Sequence, residues 1–220
     1  MKIKISSISI ILLAMFAAIS CSKNDNFNYP PGKVGISTIV YFPIMTLQGD
    51  PVMSVVQGGT YTDPGATATE NGNPITVTAS GNVDATQVGL YIITYSATTS
   101  KGFSASAQRI VVVIPSAELP GVDLSGTYSS AGETNVTINK VAPGVYYTPN
   151  CWGDGSLAII PAYFVCTDGT APFIPLQNGP AGHIETQTPG TYVGGLITWT
   201  VTRLDFPSGP LTVTKHWQKQ

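Results

Sequence analysis

The chain has 220 residues, a formal net charge of −2 and only 10% charged residues, which excludes a basic surface for nucleic acid. Its hydrophobic fraction of 43% excludes a disordered chain, because disordered chains are poor in apolar residues. The 23 Gly and 17 Pro, together with many β-branched and aromatic residues, favour an all-β fold with frequent turns.

The N-terminus has the pattern of a secretory signal peptide. Lys2 and Lys4 precede an apolar run over residues 8–19, which is too short to span a bilayer as a helix. Small residues end this run, and Cys21 follows them directly. We therefore predict a signal peptide over residues 1–20.

The residues around Cys21 indicate where the chain is held. Ala17, Ala18 and Ser20 followed by Cys21 resemble the lipobox of bacterial lipoproteins. This resemblance implies a lipidated Cys21, acyl chains that anchor the chain in the outer membrane, and a polar tether over residues 21–33. The stretch after Cys21 is similar to the export signal of surface lipoproteins from gut anaerobes, which favours the cell surface over the periplasmic face. An ordinary signal peptide that ends near a cysteine is the alternative.

Residues 34–116 contain short runs typical of strands, separated by turn residues. Asn71-Gly72 is a strong hairpin signal, and residues 75–80 alternate strictly between apolar and polar side chains. The other strand-like runs lie at residues 37–43, 51–57, 65–70, 90–99 and 108–114. Short strands at this spacing predict a β-sandwich.

Four motifs in this segment are D-P-G-A, V-D, G-x-Y-x-I-x-Y and R-x-V-x-V, at residues 63–66, 83–84, 89–95 and 109–113. They resemble the motifs of a bacterial immunoglobulin-like (Ig-like) family found in surface proteins. The resemblance implies an Ig-like sandwich that acts as a spacer. Its motif residues would serve the structure, with Asp63 as a turn former and the tyrosines on the core face.

The second half of the chain begins after a Pro- and Gly-rich segment, residues 115–126, which we predict to be a hinge with a boundary near Pro120. Strand-like runs then follow at residues 124–130, 134–140, 144–149, 157–166, 170–176, 181–186, 190–202 and 211–217. Such a meander over residues 121–220 predicts an antiparallel, lipocalin-like β-barrel domain, because closure removes free sheet edges.

Further motifs in this half are G-T-Y-S-S, K-x-x-P-G-V-Y-Y, A-Y-F-V-C-x-D-G and I-T-W-T-V, at residues 126–130, 140–147, 162–169 and 197–201. They resemble the C-terminal domain of a family of two-domain outer-membrane lipoproteins from gut anaerobes, in which an Ig-like module comes first. The resemblance implies this domain order and an association with polysaccharide capture, but no established activity.

Patterns for catalysis or metal binding are missing from the sequence. His183 and His216 lie far apart, and Cys151 and Cys166 lack the spacing of zinc ligands. There is no G-x-S-x-G elbow, and most carboxylates of the second half lie in turns. We expect no enzyme, no cofactor and no metal. Cys151 and Cys166 are either a cross-strand disulfide, which export permits, or two buried free thiols.

The candidate ligand site is the loop that contains Tyr146, Tyr147, Asn150, Trp152 and Asp154. Aromatic rings stack on the C–H faces of sugars, and amides and carboxylates bond hydroxyls. Because Trp152 lies in a Gly-rich turn, we predict that it is partly exposed; a cap on one barrel end is its alternative role. Trp199 alternates with polar residues and is predicted to face the core.

The predicted function is that of a non-catalytic surface lipoprotein that captures glycans or assists polysaccharide uptake. Its partners would be the membrane, through the lipid, and a polysaccharide or other outer-membrane proteins. A protein–protein interaction or adhesin subunit is one alternative. A barrel that carries a small apolar ligand is another.

If Cys21 is lipidated, incorporation of a labelled fatty acid should depend on the Cys21 thiol. Cells that express the full chain and are fed an alkyne fatty acid should label the wild-type protein and the matched Ser22→Ala variant. The Cys21→Ala variant should stay unlabelled, because the modified thiol is gone. Label on Cys21→Ala would contradict the prediction.

Overall fold

The computed structural model describes residues 31, 33–34, 37–153, 159–180 and 182–220. The predicted signal peptide and Cys21 lie outside the described residues. The chain divides into two compact units, Met1–Val40 and Tyr41–Gln220. In the first, β1 (Lys33–Val34) and β2 (Ser37–Thr38) form an antiparallel pair. The described residues include no helix long and apolar enough to cross a membrane.

The second unit begins with a sandwich of two sheets. Its strands are β3 (Ile44–Leu47), β4 (Val52–Val56), β5 (Ala66–Glu70), β6 (Asn73–Ile75), β7 (Val77–Ser80), β8 (Gly89–Thr98) and β9 (Ser104–Ile114). One sheet has the order β3-β5-β6 and the other β4-β9-β8-β7. The β4–β9 pair is parallel and the others are antiparallel, which confirms the predicted Ig-like sandwich.

Local sequence accounts for most of these strands. Asn71 and Gly72 have φ angles of 49° and 79°, the left-handed conformation that a tight hairpin between β5 and β6 needs. On β8, Ile93 and Tyr95 are buried and Tyr91 packs half-buried against the same cluster, which confirms the core face predicted for the two tyrosines. The single strand predicted over residues 37–43 is wrong. That run contains β2, and β3 begins only after Pro43, which cannot donate a hydrogen bond to a sheet.

A buried charge lies at the centre of the sandwich. Arg109 on β9 is fully buried, and its guanidinium pairs with Asp63 at 2.5 Å. The other acceptors around the guanidinium are the carbonyls of Gln48, Asp50 and Gly65 and the hydroxyl of Tyr95. Every part of the fork therefore has a partner, as a charge out of water requires.

The same cluster explains the D-P-G-A motif. Oδ1 of Asp63 accepts hydrogen bonds from the hydroxyls of Tyr61 and Tyr95, from Arg109 and from the amide of Gly65. Burial raises the pKa of Asp63, but the bonds from Tyr95, Gly65, Tyr61 and Arg109 outweigh it and hold this pKa below its usual value. Asp63 is therefore ionised at neutral pH.

The rest of the unit is one antiparallel sheet that curls almost into a closed barrel. Its strands are β10 (Gly126–Ser129), β11 (Val136–Ala142), β12 (Val145–Thr148), β13 (Ala162–Val165), β14 (Gln177–Gly179), β15 (Gly182–Glu185), β16 (Thr191–Val193), β17 (Leu196–Arg203) and β18 (Leu211–Lys219). Their order is β13-β12-β11-β10-β18-β17-β15-β14, with β16 beside β17. This architecture confirms the predicted barrel-like domain.

Three of the predicted barrel strands differ from the structure. In the described part of the run 157–166, the strand is only β13, which begins directly after Pro161. Residues 170–176 are not a strand, because Pro172 and Pro175 interrupt the ladder and only Phe173 forms a bridge. Residues 190–202 form two strands, β16 and β17, because Gly194 and Gly195 both have positive φ and make a tight turn.

The barrel closes where β13 meets residues 173–179, which we call the seam. Val165 and Phe173 exchange two backbone hydrogen bonds, of 2.8 and 2.9 Å. Further along, the Gln177 side chain accepts from the Tyr163 amide at 2.9 Å and donates to the Tyr163 carbonyl at 2.7 Å. Its amide group thus takes the place of a neighbouring strand's peptide group.

Large side chains fill the barrel. Trp152, Trp199 and Trp217 belong to one buried cluster with Phe164, which confirms the core position predicted for Trp199. Phe164 meets Trp199 edge-on at 5.2 Å between ring centroids. In the described part of the barrel, packed rings occupy the space that a carrier of an internal apolar ligand would need.

The sandwich and the barrel share a second apolar core. Val112 and Ile114 of β9 pack with Val145 of β12 and Val165 of β13, all of them buried. The segment that the sequence predicted as a hinge is bonded to the barrel, for example from the Leu119 amide to the Thr167 carbonyl at 2.8 Å. A shared core of this kind holds one face of the sandwich against the barrel.

The Arg109 cluster predicts a large and specific loss of stability. Arg109→Met should lower the free energy of unfolding by about 3–5 kcal/mol, because it leaves Asp63 and three carbonyls without their donor. Urea unfolding of the chain from residue 22 onward measures this loss. Lys101→Met, which removes an exposed cation, should change stability by less than about 0.5 kcal/mol. Equal effects of the two substitutions would contradict the proposed role of the cluster.

Candidate functional site

A cleft of about 140 Å³ opens between the sandwich and the seam. Sandwich strands β8 and β9 form one wall, and β12, β13 and β14 of the barrel form the other. The shared core lies beside it, since Leu90, Ile110 and Tyr163 belong to both sets of residues. Packed apolar residues therefore support both walls of the cleft.

The barrel wall is aromatic. Tyr147 on β12 and Tyr163 on β13 are register partners, and their ring centroids lie 5.1 Å apart at an interplanar angle of 53°. Both are half-buried, and among the described residues neither hydroxyl has a hydrogen-bond partner. Burial, with a smaller contribution from Tyr147, raises the pKa of Tyr163. Its hydroxyl is therefore protonated at neutral pH and can donate a hydrogen bond.

Two neighbouring amides at the seam have different roles. Gln177 is 7% exposed, and its side chain is fully occupied by the backbone of Tyr163 and by the Pro175 carbonyl. Asn178 is exposed at the cleft, and its amide makes no hydrogen bond within the described part of the chain. Asn178 is thus the amide that can bond to a ligand.

The sandwich wall is apolar. Ile92 and Ile110 are register partners on β8 and β9, and Leu90 lies two residues before Ile92 on the same face. Ile92 is 41% exposed, although it lies in the middle of a long strand. The cleft therefore pairs an aliphatic surface with two aromatic rings and one free amide.

The structure brings one of the five predicted site residues to the cleft, namely Tyr147. The predicted exposure of Trp152 is wrong, because its side chain is 5% exposed and belongs to the barrel core. Tyr146 is also fully buried; its hydroxyl donates to Glu118 and its ring stacks on Phe164. Asp154 lies outside the described residues.

Asn150 explains why the loop turns inward. Its Oδ1 accepts hydrogen bonds from the amides of Trp152, Gly153 and Ile160, at 3.0–3.3 Å. The side chain itself is mostly buried and so organises the loop. Gly153 then lies against Trp217, where a Cβ atom would come within 3.0 Å of the indole. The Gly-rich turn thus packs its tryptophan into the barrel.

Cys151 and Cys166 are both buried free thiols, the second of the two alternatives. The expectation that they are cross-strand neighbours is wrong. Beside the β12–β13 ladder, the backbone amide of Cys166 donates a hydrogen bond to the Gly144 carbonyl, and that of Cys151 donates to the Ile160 carbonyl. These positions lie at opposite ends of the ladder, about 20 Å apart at ~3.3 Å per residue, too far for a disulfide.

Asp168 serves its own turn, as the sequence predicted, whereas Asp205 bonds across to β15. Asp168 accepts from the amides of Thr170 and Ala171, and these bonds hold the pKa of Asp168 at about 2. Asp205 accepts from the backbone and the ring of His183. Among the described residues, no group of three or more His, Cys, Asp or Glu could hold a metal ion.

Sequence reasoning did not identify Tyr163, Asn178 and Ile92 as site residues. The outward position of Tyr163, between core residues Ala162 and Phe164, was readable from alternation. Its meeting with Tyr147 depends on the β12–β13 register, and its meeting with Ile92 depends on how the sandwich packs on the barrel. Neither of these has a local sequence signal.

The fold defines the class, an Ig-like sandwich joined to a nearly closed barrel. Residues 45–113 match the family model of the bacterial surface protein Ig-like domain. The match runs from β3 to β9, covers the Arg109 cluster and indicates a protein of the cell envelope. The matching model is that of a surface module and not of a catalytic domain.

Solved structures show weak similarity to the chain. A lipoprotein from Bacteroides thetaiotaomicron is 22% identical, with 81% of this chain and 100% of that chain covered and a TM-score of 0.42. One structure from Clostridium perfringens ZmpB contains the M60 catalytic domain with the CBM51-1 and CBM51-2 domains. Another contains CBM51-2 in complex with GlcNAc, together with INT domains of the same protein. They are 14% and 16% identical, cover 82% and 80% of this chain but 20% and 42% of theirs, and have TM-scores of 0.32 and 0.31. No curated protein sequence matches the chain.

The two free thiols predict a labelling pattern. Burial raises the pKa of Cys151 to about 12 and that of Cys166 to about 11, so both are protonated and shielded at pH 8. The chain from residue 22 onward should react with iodoacetamide at two sites when unfolded without reductant and far more slowly when folded. Resistance of both cysteines after unfolding, reversed by reductant, would indicate a disulfide and contradict the structure.

Proposed function

We propose that the chain is a non-catalytic cell-surface lipoprotein that binds one sugar unit of a glycan in the cleft. The observation that carries this proposal is the Tyr147–Tyr163 pair, whose half-buried rings line the cleft and whose hydroxyls have no partner in the described part of the chain. A pyranose ring has apolar C–H faces that stack on aromatic rings. Its hydroxyls can bond to the Asn178 amide and to the tyrosine hydroxyls.

Cleft size supports a small portion of a ligand. Its volume of about 140 Å³ is below the ~300–1,000 Å³ that is typical of sites for whole drug-sized molecules. One ring can enter, while the rest of a polymer stays outside. Ile92 and Leu90 provide an aliphatic surface opposite the tyrosines.

The proposed location follows from the N-terminal sequence and the surface-domain match. A lipid on Cys21 would hold the chain in the outer membrane, and the tether would leave the sandwich and barrel free to meet a polysaccharide. A binding role without catalysis is supported by two barrel carboxylates, since Asp168 is bonded within its own turn and Asp205 is bonded to His183 of β15. Glycoside hydrolysis would need two carboxyl groups facing one bond.

The proposal predicts that glycan affinity depends on the tyrosine pair. The chain from residue 22 onward should be retarded in native affinity gels by at least one soluble polysaccharide of a panel. Tyr163→Ala should weaken this binding about tenfold or more, since truncation of a central aromatic side chain typically costs ~2 kcal/mol. Asn178→Ala should weaken it by a smaller factor, through the loss of a hydrogen bond.

The matched control is Tyr41→Ala, which removes an exposed tyrosine that does not line the cleft and should leave retardation unchanged. Circular dichroism of each variant should match that of the wild type. Retardation that survives Tyr163→Ala would contradict the cleft as the site. No retardation by any polysaccharide would contradict glycan binding, and would favour the alternative of a protein partner in the envelope.

A further inference from the structure

A second and larger cavity, of about 500 Å³, opens at the sandwich beside the buried charge cluster. We call it the Asp63 cavity. Its volume falls in the ~300–1,000 Å³ range of small-molecule sites. Polar groups of Thr60, Tyr61, Asp63 and Asn82 line it, above apolar side chains that include Ile93. A few convergent polar groups over an apolar floor are typical of ligand sites.

Asp63 offers this cavity one unused acceptor. Its four hydrogen bonds all end on Oδ1, while Oδ2 has no partner among the described residues. The side chain is 30% exposed, whereas Arg109 behind it is fully buried. The cavity therefore meets a carboxylate oxygen whose charge is already balanced from the interior side.

Two glycines of the cavity lining lie where backbone segments pack closely. A Cβ at Gly59 would come within 2.8 Å of the Val56 carbonyl oxygen, and a Cβ at Gly81 would collide with the Ile92 carbonyl oxygen. Gly81 also has a φ of 103°, which side-chain-bearing residues rarely adopt. Both Cβ positions point at the protein's own backbone, so the two glycines allow the close approach of the segments that form this part of the cavity wall.

The charges of the lining select the ligand class. The described lining of the cavity contains no Lys, Arg or His, so the negative charge of a carboxylate or phosphate ligand would have no cationic partner there. The buried Arg109 balances Asp63, so a cation gains little net attraction there. A ligand without net charge meets both conditions. Its hydroxyls can donate hydrogen bonds to Oδ2, and its apolar face can stack on the Tyr61 ring.

We propose that the Asp63 cavity is a second binding site, which takes a neutral hydroxyl-bearing ligand such as a single sugar unit. Oδ2 of Asp63 accepts a hydrogen bond from one ligand hydroxyl, and the Asn82 side-chain amide forms a hydrogen bond with a neighbouring hydroxyl. The site belongs to the sandwich alone and does not depend on the cleft.

The test is a titration of the ¹⁵N-labelled chain from residue 22 onward, followed by amide chemical shifts. The probes are the methyl glycosides of glucose, galactose and mannose, with methylammonium and acetate as charged comparisons. At least one glycoside should shift the amides of Thr60, Tyr61 and Asn82 along a saturating curve. Acetate should not shift them, and methylammonium should bind more weakly than the glycoside.

Two substitutions assign the shifts to the cavity without touching the charge cluster. Ala79→Met fills the cavity from an exposed strand position, and Asn82→Ala removes one donor; each should weaken binding at least fivefold. Thr78→Met, on the opposite face of the same strand, is the matched control and should leave binding unchanged. Tyr163→Ala should also leave these shifts unchanged, so failure of the cleft and failure of the cavity are distinguishable.

Three results would overturn the proposal. They are the absence of shifts at residues 60–61 and 82 with every glycoside, tighter binding of methylammonium than of any glycoside, and full binding by Ala79→Met. The second result would make the cavity a cation site, because the carboxylate would then act by its charge.

Discussion

The buried guanidinium of Arg109 is the constraint on which the sandwich depends. A charge out of water must have all its donors satisfied, and these donors reach the turn before β4, the loop that contains Asp63, and Tyr95 on β8. One side chain therefore fixes two loops and two strands relative to one another. The D-P-G-A and R-x-V-x-V motifs are the two halves of this arrangement, although they stand more than forty residues apart in the sequence.

Strand β9 connects the Arg109 cluster to the barrel. Arg109 lies on β9, and further along the same strand Val112 and Ile114 pack against Val145 and Val165 of the barrel. The barrel side is held by the seam, where the Gln177 amide takes the place of a peptide group. The cleft between them is therefore bounded by two packed surfaces that the shared core joins, which lowers the ordering cost of binding.

Local patterns predicted what depends on local chemistry. Asn71-Gly72 formed its hairpin and Trp199 faced the core, because turn conformation and alternation act over a few residues. The exposure of Trp152 was mispredicted because Asn150 turns the loop inward through bonds that reach Ile160. Register decided the rest. It placed Cys151 and Cys166 at opposite ends of one ladder and brought Tyr163 beside Tyr147, and no single segment carries that information.

Strand β8 connects the structural and the binding roles of the sandwich. Successive residues of a strand face opposite sides of a sheet, so Ile92 reaches the cleft while its neighbour Ile93 reaches the Asp63 cavity. The alternation that builds the sandwich core thus leaves one wall for each opening. The contacts that hold the sandwich together are also the contacts that would shape a binding surface. Asp63 and Ile93 belong both to the sandwich core and to the lining of the Asp63 cavity, whereas Ile92 on the outer face of β8 lines the cleft.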